Sequence, residues 1–228
     1  MTIAQEIINY AHTFFDVAGA IKLSDNSRLI IVGLESIPER DLDEFHRIDG
    51  KFRLSGFEKH AKPKLESLLN FISKQGFSAK LVGQCGYPLK GEVKLKEAAV
   101  QAGLGRWGKN TIVLHPIYGN RLRFMAIKTD APLEELPTDY YAMREENPAC
   151  SGCTICIDAC PEKVLEPYRM PDTKRCLANI SRLTNKEGRL IPCDICLRLC
   201  PATLIHNPRL LTCKSKAPTM TSGELNWL

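Results

Sequence analysis

Apolar and polar positions alternate with two different periods along the first two thirds of the chain. Apolar side chains that recur every three or four positions predict amphipathic helices over residues 3–15, 61–72 and 95–102. Gly76 and Gly103 follow the last two segments, where glycine commonly ends a helix. The pattern therefore predicts at least three helices in this part of the chain.

Short unbroken apolar runs predict buried strands at residues 28–34, 78–83, 111–115 and 121–128. Residues 116–120 supply the proline, glycine and asparagine of a turn between the last two strands. The mixture of helices and strands predicts an α/β or α+β layer with a sheet of roughly four or five strands.

Bulk composition is that of a globular protein, with 44% hydrophobic and 25% charged residues. The apolar runs are too short to span a bilayer, which predicts no association with a membrane. The N-terminal residues lack the basic and apolar regions of a signal peptide, so a cytoplasmic location is expected. The net charge of +5, without interleaved aromatic and basic residues, argues against a nucleic-acid partner.

Ten cysteines stand out against this ordinary composition. A cytoplasmic chain rarely keeps disulfides, so these thiols are expected to bind metal. Residues 150–161 read C-x2-C-x2-C-x3-C-P, which is the bacterial ferredoxin pattern for a [4Fe-4S] cluster. A second copy follows as Cys176 and the C-x2-C-x3-C-P run at residues 193–201.

The fourth cysteine of each ferredoxin run binds the cluster of the other run. The first predicted set is Cys150, Cys153, Cys156 and Cys200, and the second is Cys160, Cys176, Cys193 and Cys196. Zinc is the alternative, but zinc sites commonly pair two C-x2-C knuckles across a longer gap, often with histidine. The repeated Cys-Pro ending favours iron–sulfur clusters.

A glycine-rich segment, Gly103, Gly105 and Gly108, lies between the third helix and a strand. A dinucleotide fingerprint needs the opposite order of strand, glycines and helix, so that interpretation fails. Glycine still allows the backbone to approach a flat or anionic ligand closely. Lys109 and Asn110 offer hydrogen-bond donors beside it.

Residues 102–111, residues 115–119 and the two cysteine runs resemble the epoxyqueuosine reductase family, which is related to reductive dehalogenases. The resemblance implies a nitroreductase-like, cobalamin-binding α/β domain over residues 1–145. It also implies a ferredoxin-like domain with two [4Fe-4S] clusters over residues 146–228. The residues expected to bind the corrinoid are Gly103, Gly105, Gly108, Lys109, Asn110 and His115.

By this resemblance, single electrons would pass through both clusters to a corrinoid and then to a substrate. The tRNA-modifying members of the family carry an acidic residue, a general acid, ahead of the glycine segment, whereas residues 86–94 contain Glu92 as their only carboxylate. This departure, together with the short chain, favours a paralogue that reduces another substrate. The alternative is a non-enzymatic electron carrier or corrinoid-binding or reactivating protein that serves a partner.

Two cysteines remain outside the ligand sets. Cys85 follows a predicted strand, either facing the ligand cavity or buried as a structural thiol, and Cys213 is expected to be a bystander near the second cluster.

Basic residues lie among the predicted ligands and suggest a docking surface for an acidic electron donor such as flavodoxin or ferredoxin. A solvated face that compensates the negative clusters is the alternative. These residues are Lys174, Arg175, Arg182, Lys186, Arg189 and Arg198.

Overall fold

The computed structural model describes residues 1–44, 46–48, 51–84, 92–133, 146–179 and 193–204. The chain forms two compact units. The N-terminal unit contains Met1–Arg106 and Arg121–Glu145, and the cysteine-rich unit contains Trp107–Asn120 and Glu146–Leu228. The sequence placed one boundary at residue 145, whereas the contacts also assign residues 107–120 to the cysteine-rich unit.

The described elements follow one another along the chain in a mixed order. They are α1 (Ile3–His12), β1 (Val17–Lys22), β2 (Arg28–Glu35), β3 (His46–Ile48), β4 (Lys51–Arg53), α2 (Ser55–His60), α3 (Lys62–Lys74), β5 (Ala79–Gly83), α4 (Leu95–Gln101), β6 (Arg106–Trp107), β7 (Val113–Leu114), β8 (Leu122–Thr129), α5 (Ile155–Asp158), α6 (Thr173–Asn179) and α7 (Ile195–Arg198). Two 3-10 turns, Pro148–Cys150 and Pro201–Leu204, complete the cysteine-rich unit.

A four-stranded sheet in the order β1-β2-β8-β5 forms the centre of the N-terminal unit. Each neighbouring pair is antiparallel, with Ile30 of β2 opposite Ile127 of β8. The six residues between the ends of β2 are all buried, which explains the unbroken apolar run that predicted this strand. The described part of the unit is therefore of the α+β type, within the predicted class.

The core of this unit lies between the sheet and two helices. Alternate residues of β2, beginning with Ile30, share one cluster with Ile7 of α1 and with Leu65 and Leu68 of α3. A capping box between Thr2 and the third helical residue begins α1. The helical periods and the strand at residues 28–34 are thus confirmed by what they bury.

Several elements differ from the predictions. β1 was missed because its alanines and Gly19 give a weak strand signal, and the β3–β4 hairpin was missed as well. The predicted strand at residues 111–115 shortens to β7, which pairs with β6, while β8 pairs with β2 and β5. The turn at residues 116–120 forms, closed by a bridge between His115 and Gly119, but it does not join two paired strands. No helix in the described part of the chain is long and apolar enough to cross a membrane.

Gly19 on β1 allows the end of α4 to approach the sheet closely. A Cβ atom at this position would lie 2.9 Å from the backbone oxygen of Ala102 and 3.2 Å from its Cβ. Ala102 directly precedes Gly103, whose φ of +74° turns the chain out of α4. A side chain on β1 would therefore displace the start of the glycine segment.

We expect Gly19→Ala to lower the free energy of unfolding by about 1–3 kcal/mol, because the backbone of Ala102 cannot yield as a flexible side chain would. Lys22→Ala at the exposed end of the same strand is the matched control and should change stability by less than about 0.5 kcal/mol. Urea unfolding followed by circular dichroism measures both variants, and equal stability of the two would contradict the close packing.

Candidate metal centres

Two short helices repeat the same local structure in the cysteine-rich unit. In the first copy the amide of Cys160 donates to the carbonyl of Ile157, and in the second that of Cys200 donates to Leu197, each at 3.2 Å. A proline follows each of these cysteines, where its missing N–H costs no helical hydrogen bond. The pseudo-repeat seen in the sequence is therefore also a repeat of backbone structure.

The first predicted ligand set is brought together around Cys156 on α5. Burial, together with the neighbouring Cys200, Cys153 and Cys150, raises the pKa of the Cys156 thiol to about 11. Cys150 and Cys200 also share a buried cluster with Leu114 and Ala202. Cys200 thus lies with the cysteines of the other repeat, as the crossed assignment requires.

The second predicted set surrounds Cys196 on α7. Burial raises the pKa of this thiol to about 12, with Cys193 and Cys176 as the largest charged neighbours and Cys156 and Cys160 behind them. The buried Cys160 packs with Val164 and Leu165, and the side chains packed against this cluster are Ile157, Met170, Cys176 and Cys196. Cys160 therefore crosses to the second set in the same way.

All eight of these cysteines are free thiols. Among the described residues, no group of three or more histidine, cysteine or acidic side chains is placed to hold a single metal ion. A cubane differs from a single ion because each of its four thiolates binds a different iron atom. Two sets of four thiols in apolar surroundings fit this chemistry, and iron ligation by them stays a prediction.

Residues 107–120, which we call the bracing segment, pack within the cysteine-rich unit. The side-chain amide of Asn110 donates to the carbonyl of Cys196 at 3.1 Å, and that of Asn120 donates to the carbonyl of Leu197 at 2.8 Å. Each asparagine is only 2% exposed. The carboxamide oxygen of Asn110 also accepts the amide of Ile112. Asn110 therefore binds protein through both ends of its side chain.

The first residues of the bracing segment are hydrogen-bonded to residues beside the first cysteine run. Asn147 caps the turn leading to Cys150, and its side chain donates to the carbonyl of Trp107 at 3.2 Å. Tyr168 donates its backbone N–H to the carbonyl of Lys109 and accepts the amide of Asn147 on its hydroxyl. The bracing segment thus contacts both cysteine runs.

The charged group of Lys109 is paired rather than free. Its ammonium lies 3.1 Å from the carboxylate of Glu146, and this hydrogen bond raises the pKa of Lys109 against the opposing effect of burial. The ammonium of Lys109 therefore forms an ion pair within its own unit, and its donor role toward a corrinoid stays a prediction.

His115 is half-buried and serves the turn that follows it. Its Nδ1 accepts the backbone amides of Ile117 at 3.0 Å and Tyr118 at 3.3 Å. Burial lowers the pKa of His115, which favours the neutral imidazole that can accept these bonds.

The six residues predicted to bind a corrinoid are divided between the two units. Gly103 and Gly105 belong to the N-terminal unit, and the other four belong to the cysteine-rich unit. At Gly108 a Cβ would lie 2.9 Å from the oxygen of Asn110, so this glycine serves internal packing. Lys109, Asn110 and His115 each contact other groups of the protein, and corrinoid binding by the six residues stays a prediction.

Glu92, the carboxylate nearest the position of the family's general acid, is exposed and paired. It lies 2.6 Å from the ammonium of Lys80, and this contact lowers the pKa of Glu92. A carboxyl group with a lowered pKa is ionised at neutral pH and is a poor proton donor.

The remaining predicted features are less informative. Cys85 and Cys213 lie outside the described residues, as do the basic Arg182, Lys186 and Arg189. Arg198 pairs with Asp194 at 2.9 Å, and Arg175 lies 3.6 Å from the carboxylate of Glu162, while Lys174 is exposed at the start of α6.

Sequence reasoning missed Asn120, Asn147 and Tyr168 as residues that organise the cysteine runs. Each lies next to a glycine, proline or positive-φ turn, as in the sequence Gly119-Asn120. An asparagine beside a turn usually bonds its own backbone, so the sequence carries no signal for the distant partner.

The fold and the paired cysteine runs define an α+β protein with a cysteine-rich unit of the ferredoxin-motif type. No family model matches the chain. The epoxyqueuosine reductase of Leadbetterella byssophila is 28% identical over 204 residues, which cover 82% of this chain and 62% of the relative. That of Pseudomonas aeruginosa is 37% identical over 127 residues, covering 50% of this chain and 32% of the relative.

Solved structures show the same fold. An epoxyqueuosine reductase from Streptococcus thermophilus superimposes with a TM-score of 0.63 at 18% identity, covering 89% of this chain and 66% of that one. A catabolic reductive dehalogenase in complex with 3-bromo-4-hydroxybenzoic acid gives 0.61 at 17% identity, covering 86% and 31%. The resemblance to epoxyqueuosine reductases and reductive dehalogenases is therefore confirmed. The chain spans less than two thirds of the length of the curated relatives it matches.

We expect the imidazole of His115 to titrate below its ordinary pKa of 6.5 in the folded chain. The unfolded chain binds the imidazole proton more tightly than the folded chain does. The contribution of neutral His115 to the free energy of unfolding is therefore complete above pH 6.5. It is lost as the pH falls from 6.5 to the lowered pKa. A nitrogen-15 NMR titration of the imidazole measures this pKa. His115→Asn keeps an acceptor for the turn and should remove this part of the pH dependence of unfolding. A pKa at or above 6.5 would contradict the assignment.

Proposed function

We propose that this chain is an iron–sulfur redox protein that passes single electrons through two [4Fe-4S] clusters for the reduction of an as yet unassigned substrate. The observation that carries the proposal is the grouping of eight cysteines in one unit, with Cys200 near Cys156 and with Cys160 packed against Cys176 and Cys196. Similarity to reductases and dehalogenases gives the redox class.

In this proposal, the first cluster is held by Cys150, Cys153, Cys156 and Cys200, and the second by Cys160, Cys176, Cys193 and Cys196. The clusters supply one-electron redox chemistry. The chain supplies thiolates, and burial makes the thiols of Cys156 and Cys196 poor acids until iron replaces their protons. Apolar neighbours such as Val164 and Leu165 keep water from this region and help to set the potentials.

The crossed arrangement favours electron transfer between the clusters. The thiol of Cys156 in the first set lies close enough to Cys196 in the second set to raise the pKa of Cys196, so the two sets adjoin. We propose that an acidic carrier such as flavodoxin or ferredoxin supplies the electrons. The exposed Lys174 near Cys176 supports docking, whereas the pairing of Arg198 with Asp194 favours the compensated surface instead.

A corrinoid is the proposed electron acceptor, bound by the N-terminal unit. One structural relative is described with B12-dependent dehalogenation, and this comparison alone supports the cofactor. The side chains of Lys109, Asn110 and His115 do not support it, because each is engaged by protein.

The alternative is an electron carrier, or a corrinoid-binding or reactivating protein, that serves a partner enzyme. The state of Glu92 favours this alternative. The ion pair with Lys80 lowers the pKa of Glu92, so this carboxylate has no proton to donate at neutral pH. A structural relative from Bacillus subtilis, by contrast, is described with a catalytic aspartate loop. Epoxyqueuosine reduction is for this reason not the proposed activity.

The crossed ligand sets can be tested by counting iron in single and double variants. Anaerobically purified protein should contain about eight iron and eight sulfide per chain. Cys200→Ala should lose about four iron, and adding Cys153→Ala should cost no more, because both belong to the first set. Cys200→Ala with Cys193→Ala should lose nearly all iron.

Uncrossed sets would reverse this result. In that case Cys200→Ala with Cys193→Ala would retain about four iron, and Cys200→Ala with Cys153→Ala would lose both clusters. Stoichiometric zinc in the purified wild-type chain would refute the cluster proposal altogether.

The corrinoid proposal predicts that anaerobic purification with added hydroxocobalamin yields protein that retains cobalamin, with an absorption spectrum shifted toward the base-off form. Retention without turnover of any reducible substrate would favour the reactivating protein. Failure to retain cobalamin, in protein that holds its iron, would leave the electron carrier as the function.

A further inference from the structure

The turn formed by α7 carries a cysteine of each predicted ligand set. Cys196 belongs to the second set and Cys200 to the first, and only three residues separate them. The position of this turn therefore determines where both sets lie relative to each other. Any group that holds α7 influences the two cluster sites together.

α7 has only four residues, and its Leu197 carbonyl accepts the backbone amide of Cys200 at 3.2 Å. The buried amides of Asn110 and Asn120 supply donors to two successive carbonyls, those of Cys196 and Leu197. Asn110 and Asn120 come from the bracing segment and lie 86 and 77 residues along the chain from the carbonyls that they bind. The contact is therefore tertiary and fixes α7 from outside its own repeat.

The first repeat is held in another way. The carbonyl of Asp158 at the end of α5 accepts a hydrogen bond from the side chain of Lys163, which is exposed and only five residues away. A local, solvent-exposed contact restricts α5 less than two buried amides restrict α7. The two turns are alike in backbone structure but differ in how the rest of the unit holds them.

We propose that Asn110 and Asn120 are positioning residues that fix the Cys196–Cys200 turn and tune the redox potential of the cluster bound by Cys196. The positive ends of their amide dipoles point at peptide groups beside the ligand, which favours the reduced, more negative cluster. This role rests on the proposed function as far as the clusters are concerned, whereas the hold on α7 is independent of iron.

The test is Asn110→Ala in the full chain, anaerobically purified with its iron. The amides of Leu199 and Cys200 should exchange hydrogen up to about tenfold faster, because the turn opens more readily. At an unchanged iron content, a redox titration followed by electron paramagnetic resonance should show a lower midpoint potential for one cluster. The same exchange rates and the same potentials as wild type would overturn the proposal.

Asn110→Asp separates the two roles of the side chain. Aspartate keeps an oxygen that can accept the amide of Ile112 but replaces the donor to Cys196 by a second oxygen, so the hold on α7 is broken. Asn120→Ala should give the same direction of change. Asn9→Ala on the exposed face of α1 is the matched control and should leave exchange near Cys200 and both potentials unchanged.

The outcomes for the two proposals are distinguishable. If wild-type protein contains no clusters, the proposed function fails, and faster exchange at Leu199 and Cys200 in the variants would still support the positioning role. If wild-type protein has both clusters and the asparagine variants exchange at the wild-type rate, the function stands and the positioning role fails.

Discussion

The exchange of one cysteine between the two repeats is the constraint on which the cysteine-rich unit depends. Cys200 lies near Cys156, and Cys160 packs against Cys176 and Cys196, so each predicted ligand set takes a cysteine from the other run. Helices of four residues bury too little apolar surface to hold such an arrangement alone. The two short helices therefore rely on contacts with other segments of the cysteine-rich unit. In the proposed holoprotein they also rely on the clusters, because metal binding contributes directly to folding.

The bracing segment meets this need with buried amides rather than with a large core. Asn110 and Asn120 hold α7, and Asn147 connects Trp107 to the turn before Cys150. A buried carboxamide is costly unless its donors and oxygen are bonded, which makes these contacts specific in geometry. The segment that resembles the corrinoid-binding region of relatives is thus also part of the structure around the cysteines. Its asparagine side chains form hydrogen bonds with the backbone of α7.

Electrostatics distinguishes the proposed redox function from acid catalysis. Burial and neighbouring thiols raise the pKa values of Cys156 and Cys196, as is expected for thiols that are buried close to one another. Glu92 shows the opposite effect, because Lys80 lowers its pKa in solvent. The two thiols are therefore protonated at neutral pH unless a metal replaces the proton, while Glu92 is ionised and a poor proton donor. This combination favours electron transfer over epoxyqueuosine chemistry.

The sequence by itself determined the features that depend on local spacing. The helices at residues 3–12 and 62–74, the central strand β2 and the two cysteine runs follow from periods and motifs that neighbouring residues define. The tertiary structure alone decided the pairing of β8 with β2 and β5, the assignment of residues 107–120 to the cysteine-rich unit and the partners of Asn110. Such contacts join groups far apart in the chain, and an asparagine beside a turn has the same local signal whichever carbonyl it reaches.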